Sequence, residues 1–337
     1  MKSSLIALAI CGAILASTGA MFMLALNNDV YDNIDTNMGN LFVAWKIQYG
    51  RNYPNFEEES FRLKNFQKNF LKVQNHAADV KNTFTMKLNQ FADLSEEEIN
   101  QKFVKFSFPD ITISDSFDTK NAYSDPESAD WTQQSGSIRD KGQCGDSWSI
   151  PTIASLQALQ TLENGQFKSL SLAQLIECVS ESPCQGSMVS LTDMFEYVKN
   201  NGMESEQDYP WTGKWGKCKY NSDKVSFRII DYTSIPKGNS DALRHALSTQ
   251  PIPVGINASS LSFYSGGIFN DWSCDPKNIN TGMTLVGYGV SNGTKYWKVM
   301  AGWGADFGEN GFVRMERKDG ADIGICGITE MAVYATV

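Results

Sequence analysis

Histidine is nearly missing from this chain of 337 residues: there are two, His76 and His245. Any chemistry that needs an imidazole as base, acid or metal ligand must use one of them. His76 falls in a charged helical stretch near the N-terminus. His245 falls in Asp241-Ala242-Leu243-Arg244-His245-Ala246-Leu247, which reads as an amphipathic surface helix. There is no CxxC pair, so with so little histidine a structural zinc site is not expected. No basic run, Gly-rich phosphate loop, internal repeat or low-complexity tract occurs either. With a net charge of −9, nucleic acid is excluded as a partner. Nothing in the sequence asks for a metal or other cofactor.

Other features are present in ordinary amounts. Hydrophobic residues at 42% and charged residues at 20% suit a globular protein with a proper core, and the length suits two modest domains plus a leader. Residues 1–26 hold an apolar stretch from Leu5 to Leu26 behind Lys2. It reads as a signal peptide with Thr18-Gly19-Ala20 as a cleavage site. As a retained helix its 22 residues, rising about 1.5 Å each, would instead span a bilayer core of about 30 Å. Asp29, Asp32 and Asp35 follow it, and that charge order leaves the body lumenal or extracellular. The expected location is the secretory pathway, ending in a lysosome, a vacuole or outside the cell, or on a membrane through the N-terminal helix alone.

Of seven cysteines, Cys11 lies in the leader; the others are Cys144, Cys178, Cys184, Cys218, Cys274 and Cys326. An even set behind a leader suggests disulfides in an oxidising compartment, with a pairing that spacing does not fix. Asn257-Ala258-Ser259 and Asn292-Gly293-Thr294 fit the N-glycosylation pattern.

Between residues 41 and 104 the pattern is helical and charged. Glu58, Arg62, Phe66, Asn69 and Val73 recur at three- and four-residue steps and so share one helix face. Asn89, Phe91 and Asp93 follow. An extended connector over 105–123 leads to a segment, 124–337, that opens on Asp130-Trp131 and carries Gln143-Cys144-Gly145-Asp146-Ser147-Trp148, Asp208-Tyr209-Pro210, Val286-Gly287-Tyr288-Gly289, Gly302-Trp303-Gly304 and Gly308-Glu309-Asn310-Gly311-Phe312.

These motifs, in this order, resemble a papain-like cysteine protease of the cathepsin L type with its inhibitory pro-segment. Residues 41–104 resemble the ERFNIN-bearing pro-segment, although Ala77 stands where the last Asn is expected and Lys87 where a small residue leads the second motif. The resemblance implies an α+β, two-lobed fold: a helical left lobe and a β-barrel right lobe with a cleft between, behind a helical pro-segment. It also implies disulfides joining Cys144 to Cys184, Cys178 to Cys218 and Cys274 to Cys326.

The catalytic positions depart from the family. Ser147 stands for the nucleophilic Cys, Thr281 for the His, Ala301 for the orienting Asn and Lys141 for the oxyanion Gln. A thiolate beside an imidazolium is what makes the family's chemistry work. A Ser hydroxyl without a base in reach is a poor nucleophile, and Thr281 cannot act as that base. Silicateins in this family also carry Ser for Cys, but they keep the His. The substrate wall reads Gly186-Ser187-Met188, with Gly282 and Trp303 opposite. Pro151, early in the central helix, is expected to remove a helical donor.

The resemblance and these departures together imply an inactive homologue, a pseudopeptidase that binds its own pro-segment in the cleft, or a peptide or protein partner in its place. Two alternatives stand beside it. One is a weak hydrolase using Ser147 with Lys141 as base. The other is a structural module of a secreted or membrane-associated assembly.

Overall fold

The computed structural model describes residues 28–102, 125–139, 148–179, 189–214 and 216–337. The chain divides into two compact units, Met1–Val80 and Lys81–Val337. The leader, the connector over 105–123 and Cys11 lie outside the described residues. Among the described residues no helix is long and apolar enough to cross a membrane.

The first unit contains helix α1 (Asn28–Gln48) and helix α2 (Phe56–Ala78). The Asn55 side chain caps α2 by accepting from the Glu58 N–H, and Glu57, Glu58 and Glu59 place negative charge at the positive end of the helix dipole. The shared face read from the sequence is real. Glu58 and Arg62 form an i,i+4 ion pair at 2.7 Å, while Phe66 and Asn69 are buried. Phe66 packs on Phe42 and Trp45 of α1, at ring separations of 5.2 and 5.4 Å. His76 sits in the last turn of α2.

In the second unit, strand β1 (Phe84–Met86), helix α3 (Glu96–Lys102) and strand β2 (Ala129–Asp130) precede the long helix α4 (Ser149–Asn164). Helices α5 (Leu172–Cys178) and α6 (Leu191–Asn201) complete the helical lobe. Helix α4 is buried on every side from Ser149 to Gln160, which suits its nearly all-round apolar and small-residue sequence. Pro151 is its third residue, where no intrahelical donor is required. The missing donor therefore costs no helical bond, and α4 runs unbroken to the left-handed cap at Gly165. Ser171 caps α5, and a reciprocal Ser190–Asp193 capping box starts α6. Trp148, Ile153, Leu156, Leu175, Phe195 and their neighbours form this lobe's core.

Strands β3 (Met203–Glu204), β4 (Val225–Phe227) and β5 (Asp231–Ser234) lead to helix α7 (Ser240–Leu247). The second lobe follows as β6 (Ile252–Ile256), β7 (Tyr264–Phe269), β8 (Thr281–Ser291), β9 (Thr294–Met300) and β10 (Phe312–Glu316), and the chain closes on β11 (Val333–Thr336). The main sheet runs β1-β7-β10-β9-β8-β2, with β6 also on β8. Gly287 lets β2 lie close against β8; a Cβ there would come within 2.4 Å of the Ala129 carbonyl. Disulfides Cys178–Cys218 and Cys274–Cys326 form as the resemblance implied. Cys144 and Cys184, expected to form the third, lie outside the described residues.

The expected domain over 41–104 divides between Val80 and Lys81, and its second half belongs to the larger unit. Long-range pairing is the reason: Phe84, Thr85 and Met86 of β1 pair antiparallel with Gly267, Gly266 and Tyr264 of β7.

Candidate active site

Three parts of the second unit meet at one corner of the cleft: the first turn of α4, the start of β8 and the end of β9. A small cavity there is lined by Ile150, Pro151, Gly282, Met283, Thr284, Met300, Ala301 and Gly302. Ser147 and Lys141 lie outside the described residues, as do Gly186, Ser187 and Met188. Trp148, next to Ser147, is wholly buried and holds the start of α4 in the core.

Thr281 opens β8, paired with Ile256 of β6, and is 1% exposed. Its Oγ1 is buried without a hydrogen-bond partner. A buried hydroxyl with no partner is unfavourable by roughly 1–3 kcal/mol. Ala301 follows β9, 3% exposed, its N–H donating to the Gly311 carbonyl at 3.0 Å. Its methyl group offers neither donor nor acceptor. The sequence-expected positions Thr281, Gly282 and Ala301 are thus brought together, and their side chains present one unpartnered hydroxyl and otherwise apolar surface.

His245 does not line this cavity. His245 stands on α7 as expected, where its Nδ1 lies 2.7 Å from Asp125 Oδ1. Arg244 Nη1 approaches the same buried carboxylate at 3.0 Å. His76 belongs to the first unit. Among the described residues no group of His, Cys, Asp and Glu could hold a metal ion.

Trp303 is 4% exposed and flanks this corner. Phe307 meets it edge-on at 4.6 Å, and Phe91 of the pro-segment meets it edge-on at 5.8 Å. Gln90 Nε2 donates to the Trp303 carbonyl at 2.9 Å. Asn89 is fully buried; its Nδ2 donates to the Ser262 carbonyl at 2.7 Å and its Oδ1 accepts from the Phe91 N–H. Gln90 was not among the expected residues, because a polar side chain between two motif positions gives no pattern signal.

The strand that receives β1 is rigidly supported. Glu309 Oε1 accepts from the Gly267 N–H at 2.9 Å, and both its oxygens bind Arg314, at 2.7 and 2.8 Å. Burial alone would push the Glu309 carboxyl up, but these hydrogen bonds and the Arg314 charge hold it below the ordinary range. Tyr264 Oη donates to the Gly267 carbonyl at 2.6 Å.

Residues 125–336 match the papain family cysteine proteases, and residues 42–99 match the cathepsin propeptide inhibitor domain. This chain belongs to the papain family. A cathepsin L-like proteinase of Phaedon cochleariae is 33% identical, with 87% of this chain and 92% of the relative covered. Fruit bromelain of Ananas comosus is 31% identical, with 88% and 86% covered. Among solved structures, a digestive procathepsin L 3 from the larval midgut of Tenebrio molitor superposes with a TM-score of 0.79 at 30% identity, covering 89% of this chain and 99% of that one. A recombinant stem bromelain precursor gives 0.81 at 30% identity with the same coverage. The papain-like fold is thereby established, and the contacts of Asn89, Gln90 and Phe91 are those of a pro-segment held against the peptidase domain.

Proposed function

We propose that this papain-family member is a pseudopeptidase that binds rather than cleaves. The reading rests on Ser147, Thr281, Ala301 and Lys141 standing where the family's Cys, His, Asn and oxyanion Gln belong. One observation carries it: at the head of β8, where the base is needed, there is a buried hydroxyl without a partner. Of the two imidazoles, that of His245 is held by Asp125. Losing nucleophile and base as a unit costs on the order of 10⁶ in turnover in the subtilisin case. Losing an oxyanion donor costs roughly 10²–10³.

Binding is the function left to such a scaffold. The first occupant of the cleft is the chain's own pro-segment, and an extended peptide or a protein partner would use the same wall around Trp303 once that segment is gone. The setting is the secretory route, with lysosomal, vacuolar or extracellular delivery, or a membrane if the leader stays. Active-site probes test the reading. The full chain should react with neither a cysteine-directed epoxide nor a serine-directed fluorophosphonate, and should turn over no cathepsin-type peptide between about pH 4 and 8. Stoichiometric fluorophosphonate labelling of Ser147 that disappears in Lys141→Ala would replace this reading with a Ser–Lys hydrolase.

A further inference from the structure

The two Asn-x-Ser/Thr triplets are equivalent as sequence and stand in opposite environments. Asn257 is 5% exposed. Its Nδ2 donates to the Asp275 carbonyl at 2.9 Å, and its Oδ1 accepts from the Ser259 N–H and from Asn280 Nδ2, each at 3.1 Å. Ser259 of the same triplet is engaged as well, its Oγ accepting from Asn280 Nδ2 at 2.9 Å. The segment is further fixed by the Cys274–Cys326 disulfide, since Cys326 supplies the carbonyl that receives the Asn257 N–H. A sugar on Asn257 has no route to solvent in this fold. Burial in a satisfied polar network keeps the Asn257 acceptor nitrogen from solvent.

Asn292 is exposed at the tip of the β8–β9 hairpin, between Ser291 and Thr294, which face each other in register. Its φ of 51° and the φ of 79° at Gly293 make the two left-handed positions of a type I′ turn, for which Asn-Gly is a favoured pair. The space around the tip is open: a Cβ built on Gly293 would meet no atom within 4 Å. Beside it, Val290 leaves an apolar side chain 44% exposed. Val290 and Lys295, on either side of the turn, also line the rim of a polar cavity of about 850 Å³.

We propose that Asn292 carries an N-linked glycan and that Asn257 does not. In the transfer, Asn292 Nδ2 attacks C1 of the first sugar of a lipid-pyrophosphate-linked oligosaccharide. The N–C1 bond forms, the C1–O bond to the pyrophosphate breaks with its electron pair leaving on the lipid pyrophosphate, and the amide gives up one proton. The donor is the lipid-linked oligosaccharide of the secretory compartment, to which the leader and the disulfides point. The attached sugar covers Val290 and stands at the rim of the cavity, so a macromolecule would not enter from that side. This proposal is independent of whether the cleft is catalytic.

The test is glycopeptide mapping of the full chain made with its own leader in a eukaryotic secretory host. Treatment with a peptide amidase that converts a glycan-bearing asparagine to aspartate marks the modified residue. The expected result is a mark at Asn292 and none at Asn257. Asn292→Gln and Thr294→Ala should each remove the mass of one glycan, and Thr294→Ser should keep it. An unmodified Asn292 in the wild-type chain, whether in the medium or the cytosol, overturns the proposal. So does a glycan on Asn257, or a glycan mass that survives Asn292→Gln.

Discussion

Two regions of the peptidase domain, the strand β7 platform and the corner at the head of β8, are built on different terms. On the platform Asn89 is fixed through both ends of its amide, and Glu309 is held by Arg314 and the Gly267 N–H. At the corner the one polar side-chain atom of Thr281 has nothing to bind, and Ala301 offers nothing. Hydrogen-bonded groups of this kind are costly to disturb, whereas an orphaned hydroxyl can be lost at a gain. The contrast separates what the scaffold still holds from what its chemistry would need.

Rebuilding the corner should produce the largest effect. Ser147→Cys alone should leave the chain inert, since Thr281 still stands where the family's His belongs. The triple change Ser147→Cys, Thr281→His, Ala301→Asn should recover a measurable share of the ~10⁶ that a complete nucleophile and base supply. Epoxide labelling and peptide turnover read the outcome; activity from Ser147→Cys alone would reveal an unrecognised base.

Substitutions at the two regions should then move stability in opposite directions. Asn89→Ala strips a fully buried amide of its contacts to Ser262 and Phe91 and should destabilise by roughly 1–3 kcal/mol in denaturant melts. It should also raise protease cutting around residues 79–93. Thr281→Val keeps the shape and removes the orphaned hydroxyl, so it should stabilise by about 1 kcal/mol. Equal losses from both would erase the distinction.

Much of this contrast could be read before the structure, and the failures have physical causes. The helix carrying Glu58, Arg62, Phe66 and Asn69 was legible because side chains three and four residues apart share a face. The disulfides of Cys178 and Cys274 came from the family resemblance, not from spacing. The division of the pro-segment at Val80 was not legible, because β1 finds its partner about 180 residues away on β7. The two Asn-x-Ser/Thr triplets look alike in the sequence because three residues say nothing about burial. Pro151 misled because its effect depends on where the helix starts, and Ser149 as first residue puts it in the tolerant turn.

The smallest effect should come from pH. Because its partners hold the Glu309 carboxyl below its ordinary value, this group adds stability that is fully present above the usual glutamate range of about 4.3. That contribution is lost as pH falls through the lowered folded value. Glu309→Gln should therefore be less stable than wild type near neutrality and show a shallower fall in acid melts. A parallel fall in the two proteins would mean that Glu309 does not support β7 through its charge.

Self-processing is the most sensitive probe of chemistry in this cleft, because a tethered substrate is presented at high effective concentration and even residual activity would show. Purified full-length protein should be held in mild acid with other proteases inhibited, and its intact mass and N-terminal sequence followed. An inactive cleft leaves one uncut chain. A new N-terminus near Ser124, appearing at a rate that further purification does not change, would contradict it.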